Sequence, residues 1–182
     1  LFVMSNSALR GWKIGFYTTL GLCTGLIGHT ILVGIGVSVI FQTSPMAFNG
    51  LKIIGAFYLV YLAWLSIQNK ELNLGEASQA ISNKSYYLTG VVMNLTNPKV
   101  AIFFLVFLPQ FVNSNNNISS QIFLLGLLFI FSAFFVFTSI AYLSSFLEGT
   151  LKKSKTINKN LNLVAALIYI ALSVNLFFVH LY

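Results

Sequence analysis

Asn94, Asn97, Pro98 and Lys99 are the residues of this 182-residue chain whose types and spacing favour specific chemistry. A lysine inside an apolar segment costs about 2.5–3.5 kcal/mol on membrane-insertion scales, and such residues usually face a pathway or a partner. A helix that begins at Pro98 adds the partial positive charge of its N-terminal amides. Together with the side-chain amides of Asn94 and Asn97, these groups predict a site that binds a carboxylate.

The helix break that this site requires is indicated by Pro98. Proline lacks an N–H group and biases the preceding residue, Asn97, away from the α conformation. We therefore predict helices over residues 86–96 and 98–108, with Asn97 as N-cap and Pro98 as the first helical residue. Each helix would span about 16 Å, which puts the break near the middle of a hydrocarbon layer about 30 Å thick. Backbone groups freed at that depth imply burial in protein or contact with a polar cavity.

The same four residues also have a purely structural interpretation. Lys99 could extend to the membrane interface, Asn94 and Asn97 could link helices, and Pro98 could be a tolerated kink. Their combination within six residues favours the binding site, because any one of them alone is a weak signal.

Two further polar residues fall within predicted membrane segments. His29 lies near the centre of its segment, where an ionisable group is a candidate for the transport pathway or for proton coupling. The alternative is that His29 donates a hydrogen bond to a carbonyl of a neighbouring helix. Tyr58 is interpreted first as a packing residue, with its hydroxyl as a candidate pathway contact.

Glycines in the first two complete segments are predicted to let helices approach closely. Gly21 and Gly25 have the GxxxG spacing that is typical of tightly packed membrane helices. Gly28 continues this stretch, and Gly55 has the corresponding packing role in the next segment.

The composition indicates that these segments lie in a membrane. Hydrophobic residues make up 57% of the chain and charged residues only 7%, against roughly 25% charged residues in a soluble domain. A membrane-spanning helix needs about 20 mainly apolar residues. Five such segments lie near residues 14–41, 48–67, 86–111, 120–146 and 161–181, and we expect an all-α polytopic membrane protein.

The charged residues indicate the orientation. The net charge is +7, and the basic residues cluster in joints that contain Arg10 and Lys13, Lys70 and Lys84, and four lysines within residues 152–159. By the positive-inside rule these three joints face the cytoplasm. Because the joints are short and lie between membrane segments, nucleic-acid binding is not favoured.

The chain has few residues for catalysis or metal binding. Cys23 is the only cysteine, so an internal disulfide, a CxxC redox pair and a multi-cysteine metal site are excluded. Two His and three Glu leave little for acid–base chemistry. We therefore expect no enzyme activity, no cofactor and no metal site.

The segments are predicted to form a single transmembrane domain over residues 1–182. We interpret residues 1–68 as the remainder of a first half, 69–85 as a cytoplasmic loop and 86–182 as a second half. The first nine residues resemble the end of another membrane segment, which would make six spans in a 3+3 inverted repeat. Such repeats place the substrate site between the halves, at broken helices.

Several motifs of the chain resemble one known family, the LysE/RhtB amino-acid exporters. The resemblance rests on Asn94-Leu-Thr-Asn-Pro-Lys99, Phe103-Phe104 and Leu108-Pro109-Gln110-Phe111, and extends to residues 11–15, 21–25, His29 and 51–59. It implies a multi-pass exporter of the bacterial inner membrane, driven by the proton gradient. The sequence is most similar to the branch that exports homoserine, homoserine lactone and threonine.

One family motif has no counterpart in the chain. The Pro-Gly-Pro-like motif of the family's first segment would stand a few residues before Leu1. If the natural polypeptide begins at Leu1, we expect little or no transport, whereas in a longer polypeptide that carries the motif the mechanism stands. The alternatives are a truncated, non-transporting membrane remnant or a membrane partner protein, and a thiol-redox carrier, which Cys23 alone does not favour. The expected partners are a small amino-acid substrate and the lipid bilayer, and the sequence is also compatible with a homo-oligomer.

Overall fold

A computed structural model describes residues 2–68, 82–113, 116–146 and 155–178, and within these ranges the fold is all-helical. The helices, in chain order, are α1 (Phe2–Arg10), α2 (Trp12–Thr43), α3 (Pro45–Gln68), α4 (Asn83–Leu95), α5 (Pro98–Phe107), a 3-10 turn (Leu108–Phe111), α6 (Ile118–Ser145) and α7 (Lys155–Phe178).

Two helices are long and apolar enough to cross a membrane, namely the Trp12–Gly36 part of α2 and α6. The bent pair of Asn83–Leu95 and Pro98–Phe111 makes a third candidate if it is one span. The apolar stretches Ile53–Gln68 of α3 and Ala166–Asn175 of α7 are shorter. The expected five spans are therefore not confirmed by length and apolarity, which identify two or three spans among the described residues.

The helix ends follow local backbone chemistry. Gly11 ends α1 with a positive φ of 90°, a conformation that side chains disfavour, and its N–H donates to Ser7 O at 2.9 Å. Asn117 begins α6, because its side chain accepts a hydrogen bond from Ser120 N at 3.0 Å.

Helix α2 lies at the centre of the fold and packs against α4 and α6, while α3 packs mainly against α7. Helices α2 and α4 run in the same direction, since Gly21 contacts Gly90 and Gly28 contacts Leu95. Helix α6 runs in the opposite direction, because Ser119 Oγ, in its first turn, donates to Gly34 O near the far end of α2.

Two of the predicted basic joints, those before α2 and before α4, lie at the same end of the bundle. The Arg10 guanidinium stands 5.2 Å from the centre of the Tyr86 ring, which brings the joint before α2 next to the first turns of α4. Of the predicted cytoplasmic loop 69–85, residues 69–81 lie outside the described residues, and so do Lys152 and Lys153.

The segment that resembles the end of another span is the short helix α1. Its buried residues are Val3, Ser7 and Ala8, and it packs against both α2 and α6. Ser7 fits beside Gly15 of α2, where a larger residue would collide with it.

Helix α5 belongs to both clusters of buried apolar residues. Its Phe104 is completely buried and packs with Leu26 and Ile122. Its Val106 packs with Ala56 and Leu59 of α3. Burial of a large apolar side chain stabilises by about 1.5–3 kcal/mol, so these contacts, in the second half of α5, hold the helix in a defined position within the bundle.

Candidate functional site

The break predicted in the segment near residues 86–111 is present. Helix α4 ends at Leu95, α5 begins at Pro98, and the two helical segments are bent by 56°. Asn97 has an extended backbone conformation, with φ −80° and ψ 107°. Its Oδ1 accepts a hydrogen bond from Lys99 N at 3.0 Å, so Asn97 is the N-cap and Pro98 the first residue of α5.

The first amides of α5 already have acceptors. Lys99 N donates to Asn97 Oδ1, and Val100 N and Ala101 N both donate to Asn97 O at 3.1 Å. This differs from the expectation that these amides bind a carboxylate directly, because the N-cap residue satisfies them locally. What remains for a ligand is the positive end of the helix dipole, the Lys99 ammonium and the side-chain amides.

A cavity of about 500 Å³ opens at the break. Its polar lining near the break consists of Asn94, Asn97 and Lys99, which the sequence analysis grouped together. The other lining residues come from α2, α5, α6 and α7 and are Leu26, Val100, Phe103, Phe104, Phe129, Ser132, Ala133, Val136, Phe137 and Tyr169. The cavity is therefore polar at the break and largely apolar elsewhere.

Lys99 has no acidic partner among the described residues. The chain contains no Asp, and its three Glu residues, Glu71, Glu76 and Glu148, all lie outside the described ranges. A positive charge in a cavity of this kind attracts an anion, because the low-dielectric surroundings strengthen the interaction relative to water.

Asn94 is the most deeply buried polar residue of the cavity lining, with 4% of its surface exposed. Its side chain packs over Gly25 of α2, and its Oδ1 is buried and has no hydrogen-bond partner among the described residues. An unpaired buried amide oxygen carries a desolvation cost of about 1–3 kcal/mol. Such a group is a natural contact for a polar ligand or a bound water.

His29 binds the backbone of the break from the side of α2. Its Nε2 lies 3.0 Å from Asn94 O, and since a carbonyl only accepts, Nε2 is the nitrogen that carries the hydrogen. The ring is 96% buried and its centre stands 5.9 Å from that of Phe104. His29 therefore makes the hydrogen bond to a carbonyl of a neighbouring helix that was its structural alternative. The residue does not itself line the cavity.

Tyr58 is not part of the cavity lining. It is half-buried on α3, and its ring centre stands 6.1 Å from that of Tyr61. Tyr169 of α7 and Ser132 of α6 line the cavity instead. Sequence reasoning missed both, because each is a single polar residue in an apolar helix with no neighbouring motif.

The four glycines predicted to allow packing lie at helix contacts. Gly21 and Gly25 contact Gly90 and Asn94 of α4, and Gly28 contacts Leu95. Gly55 of α3 lies against Val106 of α5, so α5 is approached by both α2 and α3. The close contact of α2 with α4 is what brings His29 within hydrogen-bond distance of the break.

Known proteins resemble the chain over most of its length. It is 33% identical over 165 residues to the "uncharacterized membrane protein YrhP" of Bacillus subtilis (strain 168), a match that covers 85% of this chain and 79% of the relative. It is 32% identical over 163 residues to the homoserine/homoserine lactone efflux protein of Salmonella typhimurium, covering 86% and 78%.

A third relative, the leucine efflux protein of Enterobacter sp. (strain 638), is 27% identical over 185 residues, which covers 99% of this chain and 87% of the relative. No solved structure is significantly similar to the chain. The family described as LysE type translocator matches residues 1–179. The resemblance found in the sequence motifs is thereby confirmed, and the chain belongs to the LysE family of membrane-embedded amino-acid efflux transporters.

Proposed function

We propose that the chain is a secondary exporter that carries small amino acids or their derivatives out of the bacterial cytoplasm across the inner membrane. The observation that carries this proposal is the position of Lys99, in a cavity at a helix break and without an acidic partner among the described residues. Export requires no covalent step. The substrate enters the cavity from the cytoplasm, binds and leaves on the outer side.

The substrate carboxylate binds to the Lys99 ammonium, with the Asn97 and Asn94 side chains as further polar contacts. A lysine in the middle of a span is costly, by about 2.5–3.5 kcal/mol on insertion scales. A bound carboxylate offsets part of this cost, and a hydrogen bond between charged groups contributes about 1.5–3 kcal/mol. The Lys99 charge is therefore less costly when a carboxylate is bound than when the site is empty, and this difference favours binding.

Five spans of this chain belong to a multi-pass 3+3 inverted repeat in this proposal, with α2 and α3 in the first half and α4 to α7 in the second. The break then lies between the halves, because His29 and Gly25 of α2 contact Asn94 of α4. Rocking of one half against the other would expose the cavity to each side of the membrane in turn.

The proton gradient drives export in this proposal, and His29 is the candidate for the coupling residue. Since Nε2 donates to Asn94 O, Nδ1 is the nitrogen that would take up a proton. The relatives named for efflux of homoserine, homoserine lactone and leucine support an amino-acid substrate. A non-transporting remnant or partner protein is not favoured by these similarities.

The test replaces Lys99 by methionine, which retains the length and removes the charge. We expect Lys99→Met to reduce amino-acid efflux from expressing cells at least tenfold, equivalent to about 1.4 kcal/mol or more of lost binding. The matched control is Lys84→Met, because Lys84 is an exposed lysine in the first turn of α4. Membrane levels of both variants are measured by immunoblot.

A second pair of variants separates substrate binding from helix capping. Asn97→Ala and Asn117→Ala remove the same N-cap contact, from α5 and α6 respectively. Loss of either cap costs about 1 kcal/mol of stability, but only Asn97→Ala should reduce efflux. Equal efflux from the parent, Lys99→Met and Asn97→Ala at equal membrane levels would reject the site.

A further inference from the structure

The lining of the cavity at the break has two chemically different parts. Its charged and amide groups, those of Asn94, Asn97 and Lys99, come from the two helix ends that meet there. The volume of about 500 Å³ falls within the roughly 300–1,000 Å³ that is usual for small-molecule sites. A ligand held at the break by its carboxylate therefore places its remaining atoms against the apolar part of the lining.

The apolar part of the lining is an aromatic wall. Phe104 and Phe129 are packed edge to face, with ring centres 5.0 Å apart, and Phe103 stands 5.7 Å from Phe129. Phe104 is fully buried and is held by the surrounding core, so it supports the wall, while the partly buried Phe103 and Phe129 are the rings with surface available to a ligand. Rings packed in this way present a rigid apolar surface, which favours an apolar group in the ligand.

Few polar atoms are available to a ligand along the aromatic wall. The Ser132 hydroxyl donates its hydrogen to Leu128 O at 2.9 Å, and Tyr169 is the other polar lining residue. A hydroxyl-bearing side chain loses hydrogen bonds to water on entering such a place and regains few of them.

A cationic side chain is disfavoured more strongly. The described residues contain no carboxylate that could pair with the positively charged side chain of a basic amino acid. Lys99 already places one positive charge in the cavity, and it repels a second positive charge in the same largely apolar cavity. The lining of the cavity therefore discriminates against charged side chains as well as against hydroxyl-bearing ones.

We propose that this cavity selects α-amino acids with an uncharged, apolar side chain, of the leucine, methionine or phenylalanine type, and excludes those with a cationic side chain. This inference rests on the proposed function, because it assigns the aromatic wall to the side chain of the same exported amino acid. The proposed substrates differ from the homoserine and threonine type that the family resemblance implies, because their side chains carry no hydroxyl group.

The experiment uses proteoliposomes that contain the purified full chain and are loaded with one radiolabelled amino acid at a time. We expect efflux of leucine, methionine and phenylalanine to be at least tenfold faster than efflux of lysine, and several-fold faster than efflux of homoserine or threonine. Faster efflux of homoserine or threonine than of leucine would overturn the inference and leave export itself intact. Absence of efflux for every amino acid would reject the proposed function.

A variant pair links the selectivity to the cavity. Ala133→Phe places a ring among the lining residues and should slow leucine and phenylalanine efflux about tenfold while slowing alanine efflux less. Leu127→Phe, on the same helix but at a position 63% exposed, should leave all rates near those of the parent. Equal slowing of large and small amino acids by Ala133→Phe, with normal protein yield, would contradict a side-chain site at this wall.

Discussion

At the scale of single residues, His29 has two roles that can be separated experimentally. Its Nε2 donates to Asn94 O, and both the neutral Nε2–H tautomer and the protonated ring can make this hydrogen bond. The bond therefore positions the end of α4 whatever the protonation state of the ring. Proton coupling requires in addition that Nδ1 gains and loses a proton during transport.

Replacing His29 by glutamine keeps a donor but removes the titrating group. We expect His29→Gln to retain exchange of internal for external substrate but to lose efflux driven by an imposed pH gradient in proteoliposomes. His29→Leu removes the donor and leaves Asn94 O without this partner, so it should lower exchange as well. Gradient-driven efflux by His29→Gln at the rate of the parent would assign coupling to another group and leave His29 a positioning role only.

At the scale of helices, the contact of α2 with α4 determines the geometry of the break. Gly25 leaves room for the Asn94 side chain, since a Cβ atom there would stand 2.5 Å from Asn94 Cβ and 2.7 Å from its Oδ1. Distances this short force one of the two helices to move. The sequence predicts close packing from the spacing of Gly21 and Gly25, but it does not indicate that the partner is the helix that carries the break.

Gly25→Ala should therefore displace α4 and disturb the site. We expect a loss of about 1–3 kcal/mol in stability, seen as a lower unfolding temperature in detergent, together with reduced efflux. Gly36→Ala is the matched control in the same helix, because no atom of the described part of the chain lies within 4 Å of a Cβ at Gly36. An unchanged unfolding temperature and an unchanged efflux rate for Gly25→Ala would show that α2 and α4 are not tightly packed at this position.

At the scale of the whole molecule, alternating access predicts that water reaches the cavity from each side in turn. The chain allows a direct test because Cys23 is its only cysteine and is buried. A Cys23→Ala background therefore leaves any introduced cysteine as the single reactive thiol. Ser132 is a suitable position, since it lines the cavity at some distance from the charged residues.

In this background we expect Ser132→Cys to react with a membrane-impermeant maleimide, and leucine to slow the reaction several-fold by occupying the cavity. Leu127→Cys, which lies on the same helix, is 63% exposed and does not line the cavity, should face lipid and react little. Equal reactivity at the two positions would contradict an aqueous cavity.

The features that the sequence predicted correctly depend on residues close together in the chain. The membrane environment follows from composition, and the break follows from the effect of Pro98 on Asn97, which acts through the covalent backbone. The family follows from short motifs around the same residues. The five predicted spans are not confirmed, because α3 and α7 contain only short apolar stretches among the described residues.

Other features depend on contacts between distant residues and were decided by the packing of the helices. His29 and Asn94 are 65 residues apart, and only the parallel packing of α2 and α4 brings them together. Ser132 and Tyr169 join the cavity from α6 and α7. The Asn97 carbonyl and side chain satisfy the first amides of α5, so charge and shape rather than free backbone donors are left to recognise a ligand. Local patterns specify helices and breaks, whereas the faces that meet depend on how all the helices pack at once.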